Sequence, residues 1–444
     1  MAGKVLPFLV CLAVALADFV LSKPPGVLQG SDEVYYFIYL PSLIVDGDLD
    51  FANEIEWFRQ VRVDGAFDNP PISDVGRVIN RYGVGYALLS FPFFLLGFPA
   101  TLMARAAGRT WDYDGMNPLF QFSTTLASVT WGFVGLALCR RVLERHFGAP
   151  AAGRAVALVF WATPLVYYMC FSPAMAHACA FFSVALWFYV WDRRPPDLPL
   201  SRAVALGAAG TLAFLVRYAN ILIWLGAAVD FLRWRAERPP GMALGRWLWF
   251  WLIAALTFVV GVAPQFWIWH EMFGRALVNP YRRADLFAHY LDPRFAELLF
   301  ADAGGLLNWH PIFGFALVGL GVSLFRRRWL ACHALAVVAG LLYLYASYAI
   351  PLGESFGSRG FVDALPFFGV GLAAFAAPGR GGAVRWGLCV ALIFVNLAAA
   401  AAYRFRASNR AEPYSWRERL ERAAEAPAEA QRRAREVLLN YRLD

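Results

Sequence analysis

Runs of about 15 to 23 apolar residues recur from one end of the chain to the other, separated by short arginine clusters, and a water-soluble core cannot absorb that pattern. The runs fall near 6–21, 118–140, 154–171, 177–191, 203–217, 218–232, 247–269, 306–325, 330–350, 361–377 and 384–403. Hydrophobic residues make up 59% of the 444 and charged residues 16%, so the expected fold is an all-α polytopic membrane protein with about eleven transmembrane helices.

Arginine sets the expected orientation. With Met1 on the cytoplasmic side, eleven crossings place "RRVLER" (140–145), "DRRPP" (192–196), "RWRAERPPG" (233–241), "RRR" (326–328) and "PGRGGAVR" (378–385) all inside. This is what the positive-inside rule requires. Residues 23–117 then form a large outer loop, with twelve acidic and seven basic residues. A second large outer loop spans 270–305, a third 351–360, and the tail from 404 emerges on the outer side. The first 22 residues also fit a cleavable signal peptide, because "AVALA" resembles a cleavage site, but the charge topology favours an uncleaved anchor. One further stretch, "YGVGYALLSFPFFLLGFPATLMA" (82–104), is apolar enough to span. Counting it would invert every later loop, so it reads as a juxtamembrane or re-entrant segment on the outer side. The pair 203–217 and 218–232 reads as a short hairpin that reaches the outer surface at "RYAN" (217–220).

The chain divides into a membrane domain over 1–403 and a charged helical tail over 404–444, with a break expected at Pro427. The net charge of +8 rests almost wholly on arginine, since only Lys4 and Lys23 are lysines, and points to membrane surfaces rather than to nucleic acid. Cysteines 11, 139, 170, 179, 332 and 389 lie in or at apolar runs without a C-x-x-C pair, which argues against a disulfide framework or a zinc site. Neither a Walker-type phosphate loop nor a G-x-S-x-G elbow is present.

Chemistry is therefore sought in the outer loops, where charge near the bilayer is costly and usually functional. Asp32 and Glu33 follow the first apolar run, with Tyr35 and Tyr36 beside them. A carboxylate shielded by lipid-facing helices has its proton affinity raised, which suits a general base; the structural alternative is that Asp32 caps the helix that follows. "DGDLD" (46–50) contains D-x-D twice, a pattern that holds a divalent metal in some transferases and is also an ordinary acidic turn. Arg81 and Tyr82 open the embedded stretch, and Arg81 either snorkels or holds a phosphate. His177 stands at a helix mouth in "SPAMAH" (172–177), a place where a lone histidine is most often structural. Arg282 and Arg283 lie in the loop "FGRALVNPYRRADLF" (273–287), and Arg359 in "ESFGSRGFVDALPFF" (354–368) sits where a helix re-enters the membrane. Glycines beside Arg359 permit close backbone approach, and a helix start offers amide donors to an anion.

These residues resemble a known superfamily. Asp32–Glu33, "RYGVGYALLSFP", "FWATPLVYYMCFSPAMAHACAFF" (160–182), "LVRYAN" (215–220), "PQFWIWHEMFGRALVNPY" (264–281), "GLLNWHP" (305–311) and "FGSRGFVDALPF" (356–367) are similar to the C-type glycosyltransferases (GT-C). Within it they most resemble the branch of protein O-mannosyltransferases and the lipid A aminoarabinose transferase. The resemblance implies a polyprenyl-phosphate-linked sugar donor, inversion at the anomeric carbon, and Asp32 as general base with Glu33 in support. It further implies substrate contacts from Tyr35, Arg81, Tyr82, His177, Arg217, Arg282, Arg283, His310 and Arg359. Many relatives carry an acidic residue in the second outer loop; here "SPAMAH" stands there, and His177 is the candidate substitute. The acceptor is a glycan, lipid or protein, the location the bacterial inner membrane with a periplasmic site and C-terminus, and no cofactor is expected, a divalent metal remaining open. The competing class is a carrier or flippase for a lipid-linked sugar, which would show broken helices or paired halves around a midplane site.

Overall fold

The computed structural model describes residues 2–22, 26–62, 64–193, 197–237, 243–281, 287–302, 304–348, 355–379, 381–405 and 416–440. Within these residues the regular structure is helical, joined by irregular loops, and the β structure is one antiparallel bridge between Ile72 and Val78. Five helices are long and apolar enough to cross a bilayer: Gly85–Ala106, Pro118–Phe147, Leu244–Phe273, Arg328–Ala346 and Gly382–Arg404. Shorter apolar helices of 10–17 residues, Leu6–Val20, Ala149–Trp161, Leu200–Val216, Ile312–Arg326 and Leu365–Phe375, complete the bundle. The 16-residue helix His177–Asp192 is apolar on nearly every face because it runs through the centre, where thirteen of its residues are buried.

Where the expected runs are interrupted, the cause is local. The run 154–171 forms two helices, Ala149–Trp161 and Leu165–Cys170, because Pro164 cannot continue the first. The Asn396 amide donates to the freed carbonyls of Trp161 at 2.8 Å and Thr163 at 2.9 Å, so the break leaves those two acceptors bonded inside the bundle. The hairpin read at 203–232 is also present: Leu200–Val216 ends at Arg217, whose extended backbone (φ −152°, ψ 124°) leads into a 3₁₀ turn and then Leu225–Glu237.

The Gly85–Ala106 segment bends between two helices, Gly85–Phe94 and Gly97–Ala106. Going in, the Leu89 carbonyl accepts from Trp131 Nε1 at 3.0 Å; coming out, Phe98 packs on Phe120 at 4.8 Å and Thr101 Oγ1 accepts from Asn117 Nδ2 at 3.0 Å. These contacts meet the Pro118–Phe147 helix in the half next to the first loop, as a re-entrant pair does, although by length and composition the segment also suffices to cross.

The tail departs from expectation in one respect. The Trp416–Asn440 helix continues through Pro427, because a proline removes one internal hydrogen bond while the alanine-, glutamate- and arginine-rich sequence around it keeps a strong helical preference. At the opposite end of the chain, the first helix is tied to the last apolar one by an Asp18–Arg404 ion pair.

Candidate active site

The helix Ser31–Phe37 carries Asp32 and Glu33, and the two carboxylates part company at its first turn. Glu33, at the third helical position, reaches back so that its Oε2 accepts from the Gly30 amide at 2.9 Å, which caps the helix and buries the side chain. Capping thus falls to Glu33, not Asp32. Glu33 does not line the cavity, which corrects the supporting catalytic role expected for it.

Asp32 turns into a cavity of about 310 Å³ at the same end of the bundle as the first loop. The Tyr82 hydroxyl donates to its Oδ1 at 2.6 Å, and Arg359 Nη1 lies 2.9 Å from its Oδ2. Burial by itself would push the Asp32 carboxyl up, but Arg359, the Tyr82 hydroxyl and Arg81 together outweigh it and hold the group below the usual carboxylate range. The expectation of raised proton affinity is therefore corrected; the arginines that fit a phosphate also stabilise the ionised carboxylate.

Tyr82 is held from several sides. Its backbone amide donates to Asn80 Oδ1 at 3.2 Å, its carbonyl accepts from the Tyr39 hydroxyl at 2.8 Å, and the Asn80 amide group donates to the Tyr35 carbonyl at 2.6 Å. The chain then passes so close to the end of the Leu200–Val216 helix that a Cβ on Gly83 would sit 2.1 Å from the Leu215 carbonyl, and one on Gly85 2.3 Å from the Val216 nitrogen. Only glycine permits that approach.

Six of the sequence candidates line the cavity: Asp32, Arg81, Tyr82, His177, Arg217 and Arg359. Others do not. Tyr35 is buried outside it against Phe67, and His310 is buried beneath Gly357, packed on Phe356 at 5.3 Å. Arg282 and Arg283 lie outside the described residues. The acidic run 46–50 is also away from the cavity lining; Asp46 accepts from Asn53, Asp48 from Ser42, and Asp50 pairs with Arg77.

Arg217 joins four elements. Its Nη1 donates to both oxygens of Asp363 at 2.9 Å and to His177 Nδ1 at 3.1 Å, and its Nη2 to the Tyr345 hydroxyl at 3.3 Å. Arg81 differs from both other cavity arginines: among the described residues it has no carboxylate within ion-pair distance, and its guanidinium lies 5.6 Å from the Tyr82 ring centre. Sequence reasoning missed Asp363, which holds Arg217 from outside the lining, and the tyrosines at 218, 281, 345 and 348 that line the cavity together with Tyr36. The signal for Asp363 was available, since a lone carboxylate four residues after Arg359 and directly before an apolar run needs a partner. The tyrosines carried no such signal in so aromatic a chain.

Neither a family model nor a curated protein sequence matches the chain. Solved structures do match in shape. The crystal structure of ArnT from Cupriavidus metallidurans in the apo state superposes with a TM-score of 0.57 at 16% identity, covering 99% of this chain and 72% of that one. The chain has the ArnT fold. The structure of ArnT from Cupriavidus metallidurans bound to undecaprenyl phosphate agrees, with a TM-score of 0.54 at 16% identity and the same coverage. At this identity the likeness to ArnT is one of fold, and it agrees with the all-helical membrane architecture expected from the sequence.

Proposed function

We propose that this protein is a membrane glycosyltransferase that moves a sugar from a polyprenyl-phosphate carrier to an acceptor hydroxyl. The observation that carries the reading is the pairing of Asp32 with Arg359 beside Arg81, which has no carboxylate partner among the described residues, in one cavity of a fold of which one solved example is bound to undecaprenyl phosphate. A base and an anion site in contact are what transfer from a phosphate leaving group requires.

In the proposed step the acceptor oxygen attacks the anomeric carbon as the bond from that carbon to the phosphate oxygen breaks. The electron pair leaves with polyprenyl monophosphate, the hydroxyl proton passes to Asp32, and the sugar inverts. Arg81 neutralises the departing phosphate, and Arg359 turns from Asp32 toward it. That exchange would raise the proton affinity of Asp32 as the acceptor proton is released. The Tyr82 hydroxyl keeps Asp32 oriented, and Glu33 acts only by fixing the helix start.

Cavity charge also bears on the sugar. Asp32 matches Arg359 and Asp363 matches Arg217, which leaves Arg81 unmatched among the described residues. A glycosyl phosphodiester carries one negative charge and cancels it, so the sugar itself is uncharged, with tyrosine hydroxyls and ring faces to receive it. The orientation of the arginine clusters supports a periplasmic site.

The test is transfer by the purified protein in lipid nanodiscs, supplied with a synthetic polyprenyl-phosphate hexose and a panel of glycan, lipid and peptide acceptors. Release of polyprenyl phosphate with a glycosylated product supports the reading. Movement of intact donor across a vesicle membrane without glycosylation would support the carrier class instead.

A further inference from the structure

The C-terminal helix Trp416–Asn440 is strongly charged, yet Arg419 is among the most deeply buried large side chains, with 1% exposure. Its Nη1 donates to the Asn308 carbonyl at 3.2 Å and its Nη2 to the Asp302 carbonyl at 3.1 Å. The guanidinium lies 4.5 Å from the Trp309 ring centre and 4.6 Å from that of Trp416, whose Nε1 donates to Asn308 Oδ1 at 2.8 Å. One planar cation thus bridges the carbonyls of Asp302 and Asn308, which a point charge such as lysine cannot do in the same way.

The Gly304–His310 stretch is one support on which the residues before Arg359 rest, beside Tyr168, whose hydroxyl donates to the Phe356 carbonyl at 2.9 Å, and Tyr167, stacked on the Phe356 ring at 4.5 Å. Phe356 packs on Trp309 at 5.6 Å and on His310 at 5.3 Å, and the Ser358 hydroxyl donates to the Gly304 carbonyl at 2.6 Å. Between them, Gly357 takes a left-handed conformation (φ +60°) in which a Cβ would lie 2.1 Å from His310 Nε2. The Gly304 carbonyl and the Trp309 and His310 side chains therefore touch three consecutive residues, 356 to 358, and Arg359 follows at once.

We infer that Arg419 is a positioning residue for Arg359: the C-terminal helix clamps the 302–310 segment, and that segment aims Arg359 at Asp32 and at the donor phosphate. This rests on the function proposed above for Arg359, and the experiment separates the two.

Donor binding and steady-state transfer are measured on the full chain in nanodiscs, with a polyprenyl-phosphate hexose as the probe, for Arg419→Ala, Arg419→Lys, Arg359→Ala and the double Arg359→Ala/Arg419→Ala. Arg419→Ala should weaken donor binding about 3- to 30-fold and leave the acceptor KM unchanged. Arg419→Lys should recover part of the loss. The double variant should bind donor no worse than Arg359→Ala, because the clamp acts through that one residue. Ser358→Ala breaks the relay without touching the tail and should move donor affinity in the same direction; it stands in if Arg419→Ala does not fold. Additive losses in the double variant, or wild-type donor affinity in Arg419→Ala and Ser358→Ala while Arg359→Ala is impaired, would overturn the clamp and spare the site. Wild-type donor binding in Arg359→Ala would overturn the role of Arg359 itself, and the clamp with it.

Discussion

Arg359 Nη1 stands 2.9 Å from Asp32 Oδ2 while the Tyr82 hydroxyl holds Oδ1 at 2.6 Å, so both oxygens of the proposed base are engaged. The carboxyl is consequently ionised across the neutral range: able to take a proton, but weakly basic until Arg359 moves away. Asp32→Asn keeps the shape and loses the proton acceptor. Turnover should fall by about 10² to 10⁴, while donor binding holds or tightens because Arg359 is released from its partner. Transfer rates and donor affinity measured on the same preparation check this; transfer at the wild-type rate would leave Asp32 as an anchor for Arg359 only.

Arg81 is the second test, because it reaches the cavity with no carboxylate partner among the described residues. Arg81→Ala should weaken donor binding by about 1.5 to 3 kcal/mol, the size of a charge-assisted contact, and Arg81→Lys should restore part of it. Titration of each variant with polyprenyl phosphate reads the effect. Wild-type affinity in Arg81→Ala would make Arg81 a snorkelling residue.

Matched charges elsewhere in the cavity lead to a prediction about substrate. Given two donors that differ only in the sugar, one neutral and one bearing a protonated amine, the protein should use the neutral one at least about tenfold better, because a cation would face Arg81 with no free carboxylate among the described lining residues to offset it. Competition between the two donors measures the ratio, and a preference for the amino sugar would point to an acidic residue outside the lining described above.

How far the sequence alone reaches can be judged from these residues. Helical runs and the hairpin at Arg217 were legible because apolar length and arginine placement are governed by the bilayer itself. Asp32, Arg81, Tyr82, His177, Arg217 and Arg359 could be named from their position at helix mouths, but their pairing could not. Arg217 and Asp363 stand 146 positions apart, and no local pattern announces the contact. Glu33 was misassigned because adjacent carboxylates look alike until the helix start is placed; Gly30 as the residue before the helix decides which of them reaches back. The docked tail was hidden for a similar reason, since a single buried arginine on a charged helix resembles its solvated neighbours.

Outside the cavity, Glu54 on the helix Ala52–Val61 offers a pH test of stability. Burial first, and then the nearby carboxylates of Asp46 and Asp48, pushes its carboxyl from 4.5 up to about 8. A raised carboxyl gives its full contribution to stability below the unfolded value and loses it as pH rises through the folded one, so the loss should run from about pH 4.5 to pH 8. Glu54→Gln cannot ionise. Its melting temperature relative to wild type should climb across that window, with a free-energy difference on the order of 4 kcal/mol at its upper end. Thermal unfolding at pH 5 and pH 8.5 checks this, and a constant difference at both would show that Glu54 does not titrate there.

The Arg217–Asp363 pair separates scaffold from phosphate site. Asp363 is 1% exposed and receives Arg217 Nη1 at 2.9 Å on both oxygens, so removing the arginine alone strands a buried carboxylate. Arg217→Met should cost about 3 to 5 kcal/mol of stability, whereas Arg217→Met/Asp363→Leu, which deletes both charges, should regain most of it. Because the pair adds no net charge to the cavity, the double variant should also bind donor within a few-fold of wild type, in contrast to Arg81→Ala. Thermal unfolding and donor titration of the two variants decide the matter. If the double variant is stable but loses donor affinity as fully as Arg81→Ala, then Arg217 shares itself between Asp363 and the donor phosphate, and the neutral-cavity argument for an uncharged sugar must be recast with Arg217 as a phosphate ligand.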